Sequence, residues 1–313
     1  EPDYRGSVRA SYLGSDPLRD QDRWSYTVRH VDRLTRTPLP GGLGLNLELN
    51  RVSDDNYWRD FTRGTSFFTG TASLTQRLLA NDGSLTWGQG PWSLQARALK
   101  WQTLQDVSAP IIPPYDRLPQ LVGRWRERSL PGGLTAYVEA DFTEFRSVRE
   151  LTNQPNAQRS FVMTQIARPW QAPGWFVIPR LQLHARQYRF DAPLGSTSTT
   201  LGTGGESAQV TVPTYSLSSG LVFERMARYV GRDWVQTLEP RAFYVNTPYR
   251  DQALLPNYDS AINDFNLATI YTENAFGGND RIADNHLLTL GATSRLFDPL
   301  TGAQAAYFGV AQR

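Results

Sequence analysis

The residues that could carry chemistry in this sequence are few and scattered. Three histidines, His30, His184 and His286, lie far apart, and none sits in a ligand-spaced motif, so no metal site is expected. Cysteine is absent, which removes a disulfide framework, a Cys-ligated zinc site and a thiol nucleophile. No G-x-S-x-G, H-E-x-x-H or P-loop occurs. Gly202-Thr203-Gly204-Gly205 has the composition of a phosphate loop but lacks the flanking strand and helix, and reads as a flexible loop. Asp54-Asp55, and Glu144 with Glu150, are carboxylate pairs of the kind common near loops. Neither is expected to be catalytic, so the chain reads as no enzyme and as needing no cofactor.

Charge points the same way. Lys and Arg total 32 against 30 Asp and Glu, a net +2 that leaves no footprint for nucleic acid. Lys100 is the only lysine, so 31 of the 32 basic residues are arginine. A GC-rich genome produces that bias without function. The functional alternative is arginine in a polar lumen, where its planar fork suits bidentate contact with phosphate or carboxylate. The chain opens Glu1-Pro2-Asp3-Tyr4, without a basic start or an apolar core. It reads as a mature chain or an excised piece.

The elements that must position these residues have period two. Leu43, Leu45, Leu47 and Leu49 alternate with Gly44, Asn46, Glu48 and Asn50. Alternation in a strand places the two sets on opposite faces. Residues 134–143 repeat the pattern, with Leu134, Ala136, Val138, Ala140 and Phe142 against Thr135, Tyr137, Glu139, Asp141 and Thr143. Residues 286–296 do so again. Weaker alternation covers 5–13, 22–30, 66–79, 92–103, 117–127, 158–168, 174–190, 208–225, 233–247 and 302–312. That makes about 13 strands, many near the length of a tilted membrane-spanning strand. The phase slips at Lys100, where Leu99 and Trp101 take over, and a bulge is the simplest cause. Residues 52–64 hold one turn of helix at most.

Turn chemistry divides these runs. Asn81-Asp82-Gly83 and Gly88-Gln89-Gly90-Pro91 are hairpin signals. Leu-Pro-Gly-Gly-Leu occurs at 39–43 and again at 130–134, each time opening a well-alternating strand, which predicts two turns of similar geometry. Four connections are long and polar: 105–116, 148–157, 191–207 and 249–280. The third, rich in Gly, Ser and Thr, reads as mobile. No domain boundary is evident.

A soluble sandwich also alternates, so the pattern alone leaves two architectures open. Three features favour a membrane barrel: long strands, polar faces without a second core pattern, and aromatics near strand ends. The last are Trp24, Tyr57 with Trp58, Phe67 with Phe68, Trp87 with Trp92, Trp170 and Trp175. The mean hydropathy of −0.46 excludes only a helical membrane protein. About five lipid-facing residues on each strand amount to roughly a fifth of the chain, because alternate positions face water.

Several ordered blocks resemble the LptD family of lipopolysaccharide-assembly proteins. They are Arg51-Val-Ser-Asp-Asp-Asn-Tyr-Trp-Arg-Asp-Phe61, Leu118-Pro119-Gln120-Leu121 and, most strongly, Pro213-Thr-Tyr-Ser-Leu-Ser-Ser-Gly-Leu-Val-Phe-Glu-Arg225. Gln236-Thr-Leu-Glu-Pro-Arg241, Tyr249-Arg-Asp-Gln252, Leu255-Pro256-Asn257-Tyr258-Asp259-Ser260 and Asp264-Phe265-Asn266 follow. Glu273-Asn274, Asp280-Arg281-Ile282 and Leu288-Thr289-Leu290-Gly291 complete the series.

The resemblance implies an all-β fold, a transmembrane antiparallel β-barrel, of which this chain is an incomplete section of about 13 strands from a 26-stranded barrel. Residues 1–313 would form one partial barrel domain, with the family's N-terminal β-taco or jellyroll domain and its final strands absent. The implied function is non-enzymatic assembly of lipopolysaccharide into the outer leaflet of the Gram-negative outer membrane. The implied partners are the lipoprotein LptE as a lumenal plug and the periplasmic bridge protein LptA, reached through the missing N-terminal domain. Lipopolysaccharide and outer-membrane lipid are the implied ligands. A passive outer-membrane porin or receptor is the competing class. It accounts for alternation and loops but not for the ordered blocks.

On this reading Asn46, Glu48, Asn50, Thr135, Glu139 and Asp141 line a wet lumen. Arg250, Asp251, Asp280 and Arg281 form a charged loop network that closes it. A sheet cut from a barrel has unpaired edges that lipid cannot satisfy, so the chain alone is not expected to insert as a stable barrel. Heat-modifiable migration of the isolated chain in detergent would contradict that.

Overall fold

The computed structural model describes residues 4–34, 39–61 and 77–313. Its strands are β1 (Tyr4–Asp16), β2 (Gln21–Leu34), β3 (Leu43–Val52), β4 (Leu78–Gln89), β5 (Trp92–Thr103), β6 (Asp116–Leu130), β7 (Leu134–Arg146), β8 (Ala157–Ala167) and β9 (Trp170–Ala172). They continue as β10 (Trp175–Phe190), β11 (Ser207–Leu221), β12 (Phe223–Tyr229), β13 (Arg232–Thr247), β14 (Ala261–Ile262), β15 (Phe276–Gly277), β16 (Asn285–Phe297) and β17 (Gln304–Gln312). Two four-residue helices, α1 (Tyr57–Asp60) and α2 (Arg149–Thr152), sit in connections. The all-β antiparallel class expected from the alternation is the one observed.

Thirteen strands follow the order β1-β2-β3-β4-β5-β6-β7-β8-β10-β11-β13-β16-β17, with β9 on β10, β12 on β13, and β14–β15 a separate pair. Because successive strands reverse direction, their connections fall into two alternating sets. The four long polar connections all belong to one set. The two Leu-Pro-Gly-Gly-Leu turns belong to the other, and they do share a geometry. Gly41 and Gly42 have φ of 91° and 75°, and Gly132 and Gly133 have 76° and 73°. Left-handed backbone at two successive positions is open to glycine and strained for other residues.

The chain divides into two compact units. Glu1–Trp125, Glu139–Phe161 and Arg186–Gln209 form the first; Arg126–Val138, Val162–Ala185 and Val210–Arg313 form the second. In the first unit the register sets like beside like. Leu45, Leu85, Ala96 and Leu121 are successive cross-strand partners on one face. Arg29, Glu48 and Asp82 are successive partners on the other. In the second unit Leu217, Tyr244 and Leu288 share the apolar face, and all three are exposed. Ser218, Phe243 and Thr289 share the opposite one. An exposed apolar row backed by charged side chains in the first unit, and by hydroxyls around the buried Phe243 in the second, is the two-faced pattern of a strand between lipid and water.

Four expectations are corrected. Asn81-Asp82-Gly83 is no turn: it lies inside β4, with Gly83 opposite Leu47 and Asp82 held by Arg97. A Cβ on Gly83 would come 3.2 Å from the Leu47 side chain, so the glycine serves close packing across strands. The phase slip near Lys100 does not come from an extra residue in β5, whose pairing with β4 is unbroken from Leu78 to Gln89. The shift lies between β5 and β6, where Arg97 pairs with Gln120 and Leu99 with Arg117, so the extra residue is in β6. Residues 208–225 are not one strand, because Val222 leaves the ladder and donates its N–H to Gly174 O at 2.8 Å. Tyr57 and Trp58 form no interfacial girdle: Tyr57 is buried with Val52, Leu79 and Leu104, and Trp58 packs on that cluster. Within the 191–207 segment Gly202 N donates to Ser196 Oγ and Leu194 N to Gly205 O. Residues Phe67 and Phe68, and most of the expected strand 66–79, lie outside the described residues.

Candidate functional site

The polar face of the first unit is a ladder of arginine–carboxylate pairs. Arg97 meets Asp82 at 2.6 Å, and Arg124 meets Glu139 at 2.7 Å. Arg159, fully buried, meets Asp141 at 3.3 Å, and Asp141 also accepts from Gln120 and Thr143. Arg29 and Glu48 form a looser, exposed pair at 3.3 Å. Of the residues expected in the lumen, Glu48, Glu139 and Asp141 are therefore matched to arginines. Asn46 is exposed. Asn50 instead joins strands: its Nδ2 donates to Ala80 O at 3.0 Å. Thr135 belongs to the second unit and donates to Ala167 O at 3.4 Å.

A second cluster in the first unit escaped the sequence reading. Arg23, with a fully buried side chain, is shared by three carboxylates. Its Nε and Nη2 reach Asp54 at 2.9 and 3.0 Å, and its Nη1 reaches Asp16 at 3.0 Å and Asp60 at 2.8 Å. The guanidinium lies 4.6 Å from the Phe61 ring and 5.4 Å from Tyr57. Arg19 completes the set at 2.9 Å from Asp60 and holds that carboxyl below the usual carboxylate range. The cluster pins α1 and Ser53–Phe61 over the ends of β1 to β3. Asp54 thus has a structural role, while burial pushes its neighbour Asp55 up. Glu144 pairs with the adjacent Arg146, and Glu150 sits in α2, so these carboxylates do not converge.

In the second unit the connection between β13 and β16 folds back onto the polar face. Its frame is set by Asp280, which is fully buried and accepts from Tyr258 N at 2.7 Å and Asp259 N at 2.8 Å. Arg281 donates to the carbonyls of Gln252 and Leu255. The structure thus places Asp280 and Arg281 in one network, whereas among the described residues the Arg250 and Asp251 side chains bond only to near neighbours at the exposed surface. Gly278, at φ 76°, lets the chain pass Asp259: a Cβ would lie 2.3 Å from its carbonyl oxygen.

Further along, Glu273 reaches the polar face. It pairs with Arg180 of β10 and accepts from Ser216 Oγ of β11 at 3.0 Å. Tyr271 lies flat against Arg241 of β13, 4.2 Å from guanidinium to ring, and edge-on to Phe243. Burial raises the Tyr271 phenol. Gly291 makes room, because a Cβ there would lie 2.0 Å from the Tyr271 hydroxyl. Under this segment is a cavity of about 690 Å³ lined by Trp175, Phe176, Ile178, Arg180, Arg241 and Tyr271, among others. Its walls are apolar and aromatic with two guanidiniums. Among the described residues no group of His, Asp or Glu could hold a metal ion.

Residues 21–313 match the family described as "LptD: LPS transport system D". A curated relative named LPS-assembly protein LptD, from Acidovorax sp. (strain JS42), is 60% identical over 314 residues, covering 100% of this chain and 37% of its own length. Proteins of the same name from Albidiferax ferrireducens and Ralstonia nicotianae are 59% and 39% identical, covering 100% and 99% of the chain and 38% and 36% of their own lengths. The chain thus spans less than two fifths of these relatives. An anion-selective porin from Comamonas acidovorans aligns over 98% of the chain and 94% of its own, at 10% identity and a TM-score of 0.27, a likeness too slight to bear on fold or function.

Proposed function

The chain belongs to the LptD family, and on that premise we propose that it is the barrel portion of a protein that assembles lipopolysaccharide at the Gram-negative outer membrane. The observation that carries the proposal beyond family membership is the division of labour between faces. One presents exposed Leu, Tyr and Val to a lipid environment. In the first unit the other carries paired arginines and carboxylates, and in the second a long connection folds onto it. Such a face suits a wet path for a phosphorylated saccharide, while the acyl chains of the same molecule need lipid. No step here breaks a covalent bond, so the proposed activity is transport and not catalysis.

On this reading Asn46, Glu48, Asn50, Thr135, Glu139 and Asp141 line the path. Asp280 and Arg281 shape the connection that narrows it, and Arg250 and Asp251 lie at its exposed rim. LptE is the proposed lumenal partner. LptA is the proposed donor, acting through a domain outside this chain. Depleting the full-length protein tests the proposal: lipopolysaccharide should disappear from the cell surface. Reduced uptake of small solutes with surface lipopolysaccharide intact would assign a porin instead.

A further inference from the structure

The arginine bias has one local feature that the ion-pair ladder does not absorb. Arg97, Arg124, Arg159 and Arg180 on the polar faces each meet a carboxylate, but Arg241 has none within ion-pair distance among the described residues. Its Nη2 donates to the neutral Ser218 hydroxyl at 3.2 Å, and its Nε is buried without a hydrogen-bond partner. Arg180 lines the same cavity, and its Nε is likewise buried and unpartnered. The carboxylate on Arg180 is not supplied by the sheet. It is Glu273, delivered by the connection that covers the cavity, two residues after the Tyr271 that stacks on Arg241. A guanidinium without a carboxylate, lining one cavity with a guanidinium whose carboxylate comes from the covering connection, suits an anion that can engage both.

We propose that Arg180 and Arg241 form a subsite for a phosphate group of the transported molecule, and that Glu273 is a resident competitor which the phosphate displaces. The proposal rests on the transport reading above and deepens it. A phosphomonoester carries about −1.5 to −2 charges and three acceptor oxygens, against one charge and two oxygens on Glu273. It can span two guanidinium forks, which a single carboxylate held on Arg180 and Ser216 does not do. The apolar wall of Trp175, Phe176 and Ile178 gives the attached sugar ring or chain a surface to lie on. Displacing Glu273 removes one tether of the covering segment, so cargo arrival and opening of the connection become one event.

The test uses the full-length protein in its purified complex, with three probes: intact lipopolysaccharide, the same material stripped of phosphate, and inorganic phosphate. The wild-type complex should bind the intact form more tightly than the stripped one. Arg241→Gln should weaken binding of the intact form by about tenfold and leave the stripped form unchanged. Arg241→Lys, which keeps the charge but loses the fork, should fall between. Glu273→Gln should tighten binding of the intact form several-fold and expose residues 265–275 to protease. If Arg241→Gln folds poorly, the lysine and Glu273 variants still decide the matter. Equal binding of intact lipopolysaccharide by wild type and all three variants overturns the subsite alone. Arg241-dependent binding of inorganic phosphate without any Arg241 effect on lipopolysaccharide assigns the site to a free anion and overturns it too. A wild-type complex that binds no lipopolysaccharide overturns the transport reading itself.

Discussion

Replacing Arg23 with methionine should release α1 while the strands beneath it stay paired. Arg23 is fully buried, and its three carboxylate partners are 10% to 14% exposed, so solvent screens these contacts little. Methionine fills much of the volume but leaves Asp16, Asp54 and Asp60 facing one another without a cation. Removing one partner of a buried ionic network costs about 3–5 kcal/mol, because the opposite charges are left uncompensated. That cost falls on the element the network pins. At 1.4 kcal/mol per tenfold, the opening equilibrium of Ser53–Phe61 should rise by roughly a hundred- to several-thousand-fold. Hydrogen exchange reads this directly at the amides of Arg59, Asp60 and Phe61, which donate to Asn56 and Tyr57 carbonyls. Amides of β2 and β3 should change far less. Neutralising Asp54 and Asp60 to Asn in the same chain should recover part of the protection, since the surplus negative charge is then gone. A change below about tenfold at those three amides would refute the reasoning.

Gly278→Ala should cost about 1–2 kcal/mol for its left-handed backbone alone, with more from the contact at Asp259, and should raise protease cleavage between 250 and 282; unchanged cleavage would tell against the packed connection. Leu290→Arg, on the apolar face, should destabilise the full-length protein in lipid by about 2–4 kcal/mol in urea unfolding, and a loss no larger than that of Leu290→Ala would mean the face does not meet lipid. Acidification should loosen α1 only late. Asp60 is lowered first by its bond to Arg19, and Asp106 first by the Ser108 hydroxyl. A lowered carboxyl contributes fully above the ordinary value of about 4 and loses that contribution as pH falls through its folded value, so the protection of the α1 amides, taken relative to the intrinsic exchange rate at each pH, should be steady from pH 7 to 5 and fall below about 4. Protection already lost at pH 5 would contradict the assignment.

The strands were legible because their signal is local. Residues 43–50, 134–143 and 286–296 became Leu43–Val52, Leu134–Arg146 and Asn285–Phe297, since two-residue alternation is what a two-faced sheet requires. The paired Leu-Pro-Gly-Gly-Leu turns were legible for the same reason. Asn81-Asp82-Gly83 misled because a turn signal and a close-packing glycine look alike without the partner strand. The site was less legible still. Arg23 gathers Asp16, Asp54 and Asp60 across 7, 31 and 37 positions, and Arg180 finds Glu273 across 93. Only the Arg51–Phe61 block with its Asp54-Asp55 pair, and the Glu273-Asn274 block, hinted at either. Asp280 and Arg281 could be singled out within their segment. That Arg250 and Asp251 stand apart from them is decided by backbone contacts no spacing encodes.

The 93-position span from Arg180 to Glu273 also sets an order of events during biogenesis. Strands that pair with their chain neighbours can zip together hairpin by hairpin, each closing a short loop. The covering segment has no such liberty. It needs β10 for Arg180, β11 for Ser216, β13 for Arg241 and β16 for Gly291, so it settles only after all four are in register. Until then the arginine-lined side stays uncovered.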